Sequence, residues 1–197
     1  MTAQSNAAMS VEEYLAFERA SERKHEYRGG RVIAIEPVSY THVSIIGNVA
    51  ASLHVQLRER PCTVLTSMMR IEVSSKGFFT YPDVVVVCGQ AALRDNHRDT
   101  LLNPTLIVEV LSPATGAYDR GRKFHHYRAL ESLREYVLID HDHPRIERFV
   151  RADRGTWLFG DTAILGETVH LPSIDCTLSL ADVYEKVEFP GSAGIGR

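Results

Sequence analysis

Three ionisable residues stand where chemistry, rather than solubility, would explain them. Asp83 opens the apolar run PDVVVV, Glu109 sits at the centre of LIVEVLS, and Lys123 lies in DRGRKFHHYRALESL. Burying an unpaired carboxylate costs several kcal/mol, so Glu109 needs a partner. Proline cannot donate to a sheet ladder and marks a strand's beginning or edge, which sets Asp83 at the mouth of its strand. Sequential strands are usually neighbours, and the two carboxylates are therefore expected to converge. Carboxylates at bridging distance repel unless a cation or proton lies between them. An oxygen-only donor set with open positions suits Mg²⁺ or Mn²⁺, so Asp83 and Glu109 are the expected metal ligands. The plainer alternative is that Asp83 caps a turn while Glu109 pairs with an arginine.

Lys123 extends the argument. At about 100° per residue, Asp119, Lys123, Tyr127 and Leu130 share one side of a helix, and Arg122, His125 and Ala129 share another. That directs the ammonium inward, where it would neutralise charge developing on a phosphate or orient an attacking water. An i,i+4 pair with Asp119 is the simpler alternative. Tyr127 is a candidate hydrogen-bond donor to a site carboxylate, and Glu36 and Glu72 are further acids for a second ion. His141-Asp142-His143 precedes Pro144 and reads as a solvated turn rather than a metal site. Ser112 lacks a surrounding G-x-S-x-G elbow, which argues against a serine hydrolase.

The elements that must position these residues are legible in outline. Ser10 with Glu13 forms a capping box for a helix over about 10–19. Gly29-Gly30 separates two strand-like runs and predicts an N-terminal hairpin. Ser39 caps a long helix to about Arg58, with His42, Ile46, Val49 and Leu53 on one face. CTVLT, MRIEV, PDVVVV, TLIVEVLS and REYVLID read as strands, residues 119–133 as a helix, and RIERFVR with GTWLFGD as a C-terminal meander. TLSLADVY predicts a short late helix. The order implies an α/β (α+β) fold with a mixed sheet flanked by helices. One domain over 10–185 is expected, with disordered tails at 1–9 and 190–197.

PDVVVV, LIVEVLSPAT, YDRGRKFHHYR and SLREYVLID resemble the Uma-type family of restriction-endonuclease-like proteins, within the PD-(D/E)XK nuclease superfamily. The likeness spans roughly residues 10–185. It implies a restriction-endonuclease-like core and metal-dependent phosphodiester hydrolysis, with Asp83 and Glu109 in the acidic positions. The superfamily lysine usually stands two residues after the second acid, and Leu111 occupies that place here. Lys123 matches the family's own lysine and would act from the adjacent helix. A histidine also stands at the matching helix start, which adds His42 to the candidate catalytic residues as a ligand or proton carrier.

Composition limits the partners. The chain has 197 residues, 44% hydrophobic and 24% charged, with net charge -3. No broad electrostatic grip on nucleic acid is expected, but Arg120, Arg122, Lys123, Arg128 and Arg134 could form a local patch. Cys62, Cys88 and Cys176 are far apart and read as three buried thiols of a reducing cytosol. No basic-then-apolar leader opens the chain and no run approaches the ~20 apolar residues of a membrane span, so a cytoplasmic protein is expected. The strands within 145–170 could pair with a second copy. The function expected is a Mg²⁺- or Mn²⁺-dependent endonuclease acting on DNA. The alternatives are a catalytically weak nucleic-acid-binding or protein-interaction module that keeps the fold, and a metal-dependent hydrolase of small phosphate esters.

Overall fold

A computed structural model of the chain describes residues 8–74, 77–113 and 115–189. The expected tails fall outside these residues, apart from Ala8 and Met9. Met9 N–H donates to the Gly30 carbonyl at 3.0 Å, tying that end of the described chain to the hairpin.

Helix α1 (Val11–Ala20) carries the expected capping box, Ser10 and Glu13 each bonding the other's backbone. Strands β1 (His25–Arg28) and β2 (Arg31–Ala34) form the N-terminal hairpin. Its turn needs Gly29 and Gly30, whose φ values of 52° and 95° suit residues without a Cβ. Helix α2 (Tyr40–Leu57) follows, capped by the Ser39 hydroxyl. The chain then runs through β3 (Cys62–Thr66), β4 (Arg70–Ser74), β5 (Phe78–Thr80), β6 (Val84–Cys88), β7 (Thr100–Leu101) and β8 (Leu106–Leu111). A helical stretch comes next in three pieces: α3 (Gly116–Tyr118), a π-helical turn (Asp119–Lys123) and α4 (Phe124–Tyr127). It ends earlier than the 119–133 span expected. Strands β9 (Glu135–Asp140), β10 (Ile146–Arg151) and β11 (Trp157–Thr162) make the expected meander. Strands β12 (Thr168–Leu171) and β13 (Cys176–Ser179) pair before helix α5 (Leu180–Val183).

The central sheet has the order β11-β10-β9-β8-β6-β3 and is mixed, with β8 and β9 parallel and the other pairs antiparallel. A second sheet, β2-β1-β5-β4-β7, carries the hairpin. Strand alternation divides the central sheet's side chains between two cores. Val84, Val86, Leu106, Val108 and Val110 pack with α2, where Ile45, Val49, Leu53 and Leu57 are buried. Val85, Val87, Ile107 and Leu111 pack on the other face with Tyr127, Leu130 and Tyr136. Glu109 falls in this second row, between Ile107 and Leu111.

The expectation of three free thiols is corrected. The β3–β6 register sets Cys62 directly opposite Cys88, with Cα atoms 4.0 Å apart, and the two form a disulfide. Among the described residues Cys176 is the free cysteine, and it is buried.

Candidate active site

The β6–β8 register pairs Val84 with Val108. Carried one residue further, it sets Asp83 opposite Glu109. The ladder gives way to a side chain at this point: Asp83 Oδ2 accepts the Val110 N–H at 2.7 Å, which fixes the carboxylate at the strand mouth. Both acids line one cavity of about 570 Å³. The convergence expected from consecutive apolar strands is present.

Glu109 is 4% exposed. Its Oε1 lies 2.7 Å from Lys123 Nζ and accepts the Tyr127 hydroxyl at 2.7 Å. Lys123 also lies 3.4 Å from Asp119 Oδ1 and 3.7 Å from Glu26 Oε1. The stripe of Asp119, Lys123, Tyr127 and Leu130 is buried as expected, although the backbone beneath Asp119 and Lys123 is π-helical. Such turns add one residue to the winding and recur at functional sites.

Burial pushes the Glu109 carboxyl up to about 8; Lys123 opposes that shift, while Asp83 and Asp119 add to it. Burial acts against the Lys123 ammonium, but Glu109, Asp119 and Glu26 outweigh it and hold the amine above its ordinary range. Lys123 is therefore a fixed positive charge, and Glu109 is the member of the pair that titrates. Burial also drives the Tyr127 hydroxyl far above the usual phenol value, and Glu109 reinforces this, so Tyr127 stays a donor.

His42 enters from the first turn of α2, its N–H held by the Ser39 hydroxyl. His42 Nε2 stands 3.1 Å from Asp83 Oδ1, at ion-pair distance but off the line of a hydrogen bond. The four candidate residues Asp83, Glu109, Lys123 and His42 thus line one cavity.

Glu26 is a wall residue that sequence reasoning did not identify. It accepts from Thr80 and Arg28 and stays ionised: burial raises its carboxyl, but Lys123, Thr80 and Arg28 bring it below the ordinary value. Its signal was an acidic residue in the hairpin HEYRGG, with nothing in the local pattern to link it to β8. His141 is also in the wall, and its Nδ1 lies 2.5 Å from the Leu111 carbonyl. The expected solvated turn therefore holds for His143, which is exposed, but not for His141. Glu36 borders the cavity, whereas Glu72 pairs with Arg94 and is not among its walls. Leu111 packs in the second core, leaving its position without a cation.

The basic patch is dispersed. Arg120 makes a two-pronged contact with Glu147, and Lys123 serves Glu109, leaving Arg122, Arg128 and Arg134 exposed. Among the described residues no group of three or more His, Cys, Asp and Glu side chains is arranged to hold a metal ion. No helix there is long and apolar enough to cross a membrane.

A mixed sheet with helices on its faces and the acids of two neighbouring interior strands set opposite each other defines a restriction-endonuclease-like core. The chain belongs to the Uma2 family, whose description is "Putative restriction endonuclease" and whose pattern matches residues 11–181. Two uncharacterized proteins of Synechocystis, sll1609 and slr1290, are each 31% identical to it. The first match covers 83% of this chain and 91% of the relative, the second 92% and 94%. A crystal structure from Anabaena variabilis, described as a putative nuclease, matches with TM-score 0.73 at 18% identity. It covers 89% of this chain and 97% of that one. At that identity the likeness is one of fold.

Proposed function

We propose that this chain is a metal-dependent endonuclease that hydrolyses DNA phosphodiester bonds, with Asp83 and Glu109 as ligands of Mg²⁺ or Mn²⁺. The observation that carries the reading is the meeting of Asp83, Glu109 and the Lys123 ammonium in one cavity. Two carboxylates are too few for zinc, which takes four protein ligands in a closed site and three in an open catalytic one. They suit Mg²⁺, which keeps several waters and uses substrate phosphate oxygens. A bound ion would polarise the scissile phosphate and acidify a water.

The chain's own groups divide the remaining work. Lys123 balances Glu109 and offers its charge to the phosphate. Tyr127 orients the Glu109 carboxylate, and the Val110 amide with His42 orients Asp83. His42 Nε2 is placed to exchange a proton beside Asp83. Lys123 does from the helical side what Leu111 cannot do from the strand.

Leu111 is also the observation that favours the second reading, a catalytically weak nucleic-acid-binding or interaction module. Cleavage assays with and without Mg²⁺ decide between them. The nuclease reading expects metal-dependent scission that Asp83→Ala abolishes; wild-type protein that binds DNA without cutting it supports the module. Turnover of small phosphodiesters with DNA left intact supports a small-ester hydrolase. The reading includes a cytoplasmic site of action, where the DNA substrate lies. It also includes a homodimer joined through β11, an edge strand bearing exposed Leu158 and Phe159.

A further inference from the structure

We infer that the cavity takes unpaired nucleotides, so that the substrate is single-stranded DNA rather than an intact duplex. This rests on the nuclease reading and specifies its substrate. The first observation is charge. Among the described residues only Arg28 and Lys123 bring a lysine or arginine to the cavity, against Glu26, Glu36, Asp83, Glu109 and Asp119. Arg28 is committed to Glu26, which leaves Lys123, beside Glu109, as the single cation offered to a phosphate. A protein that grips duplex through its backbone does so with many lysine and arginine contacts to phosphates. This cavity has no surplus cation for that grip.

The second observation is the mouth. Strand β2 supplies Ile33 and its connection to α2 supplies Ile35 and Val38, which are exposed at 38%, 36% and 51%. Apolar side chains left in water at the rim of a cavity that holds charged groups point to a ligand with apolar faces. Elsewhere in the wall, the Arg28 guanidinium lies over the Tyr118 ring at 4.1 Å from its centroid. Aromatic rings and guanidinium planes are the surfaces on which unpaired bases stack. A base in a duplex has its faces covered by its neighbours and has none to offer.

The third observation is size. At about 570 Å³ the cavity lies within the range that encloses a small organic ligand. It suits one or two nucleotides held by their bases, with a phosphate brought to the acids. A strand held chiefly by its bases also loses little affinity as salt rises, because few counterions are released.

Fluorescence anisotropy with a labelled oligonucleotide tests this, using wild-type protein with Ca²⁺ in place of Mg²⁺ so that the probe stays whole, and the same sequence as a free strand and as a blunt hairpin duplex. Preference for the free strand of about tenfold or more is expected, with less than about tenfold loss between ~50 and ~200 mM salt. Val38→Asp, at an exposed position that leaves the core intact, should weaken strand binding at least about fivefold, by placing charge where a base would stack. Duplex bound as tightly as the strand overturns the inference, and so does an unchanged strand affinity in Val38→Asp protein with a wild-type melting curve. Parallel cleavage assays separate the two readings. Equal cutting of both forms overturns the inference and leaves the nuclease standing. Strand-selective binding without any cutting supports the inference and ends the hydrolytic reading.

Discussion

Lys123 Nζ and Glu109 Oε1 stand 2.7 Å apart with both side chains buried, and the lysine comes from a π-helical turn rather than from Glu109's strand. Above about pH 8, where Glu109 is ionised, removing the lysine leaves a buried charge uncompensated, a loss of about 3–5 kcal/mol. Lys123→Met should therefore lower the urea midpoint strongly and abolish cleavage. Adding Glu109→Gln should recover most of the stability and none of the activity. A Lys123→Met protein as stable as wild type would show that the pair does not hold the site.

Glu109 gives the site its pH dependence. Burial raises its carboxyl from the ordinary 4.5 to about 8, so below that value a proton competes with a metal ion for it. Apparent Mg²⁺ affinity should climb by up to about tenfold per pH unit towards pH 8 and then level off. Stability should move the other way. The folded state holds this proton more tightly than the unfolded chain, so the contribution is complete below pH 4.5 and is lost as pH rises through about 8. Isothermal titration with Mg²⁺ and urea melts at a series of pH values read the two trends, and both should flatten in Glu109→Gln.

Asp83 and His42 should separate fold from activity. Asparagine at 83 keeps an oxygen for the Val110 N–H, so Asp83→Asn should alter stability by no more than about 1 kcal/mol while ending cleavage. His42 acts on Asp83 across 3.1 Å. His42→Gln should weaken Mg²⁺ affinity or activity by about 10–100-fold, the range for groups that orient a ligand. An unchanged metal affinity together with an unchanged pH profile would remove His42 from the site.

The dimer proposal is tested at β11, whose free edge carries Leu158 and Phe159 at 63% and 56% exposure. Phe159 also meets Phe149, with ring centroids 5.2 Å apart. Charges on edge strands block pairing between copies. Sedimentation should show a dimer for the wild type and a monomer for Leu158→Lys. A monomeric wild type would end that proposal.

The residues that could be read from sequence were those whose local pattern conflicted with their chemistry. A carboxylate within LIVEVLS and a lysine on an apolar stripe each demanded a partner, and each was the other's. Glu26 showed no such conflict, since an acid in a short half-exposed hairpin is ordinary; only the pairing of β1 with β5 brings it beside Thr80 and Lys123. His141 escaped for a related reason, because its contact with the Leu111 carbonyl depends on the parallel pairing of β8 and β9. The cysteine expectation failed on register. Spacing along the chain says nothing about two residues that an antiparallel ladder sets face to face. The π-helical turn left no trace in the periodicity, which assumes uniform winding.

That turn changes how relatives should be sought. A search template that insists on acid, spacer and lysine along one extended segment would reject this chain at Leu111, although the cation is present at the acid. Templates written as points in space, a carboxylate with an ammonium within contact range and no condition on chain order, would keep it. They would also find proteins in which the same charge has migrated to yet another part of the scaffold.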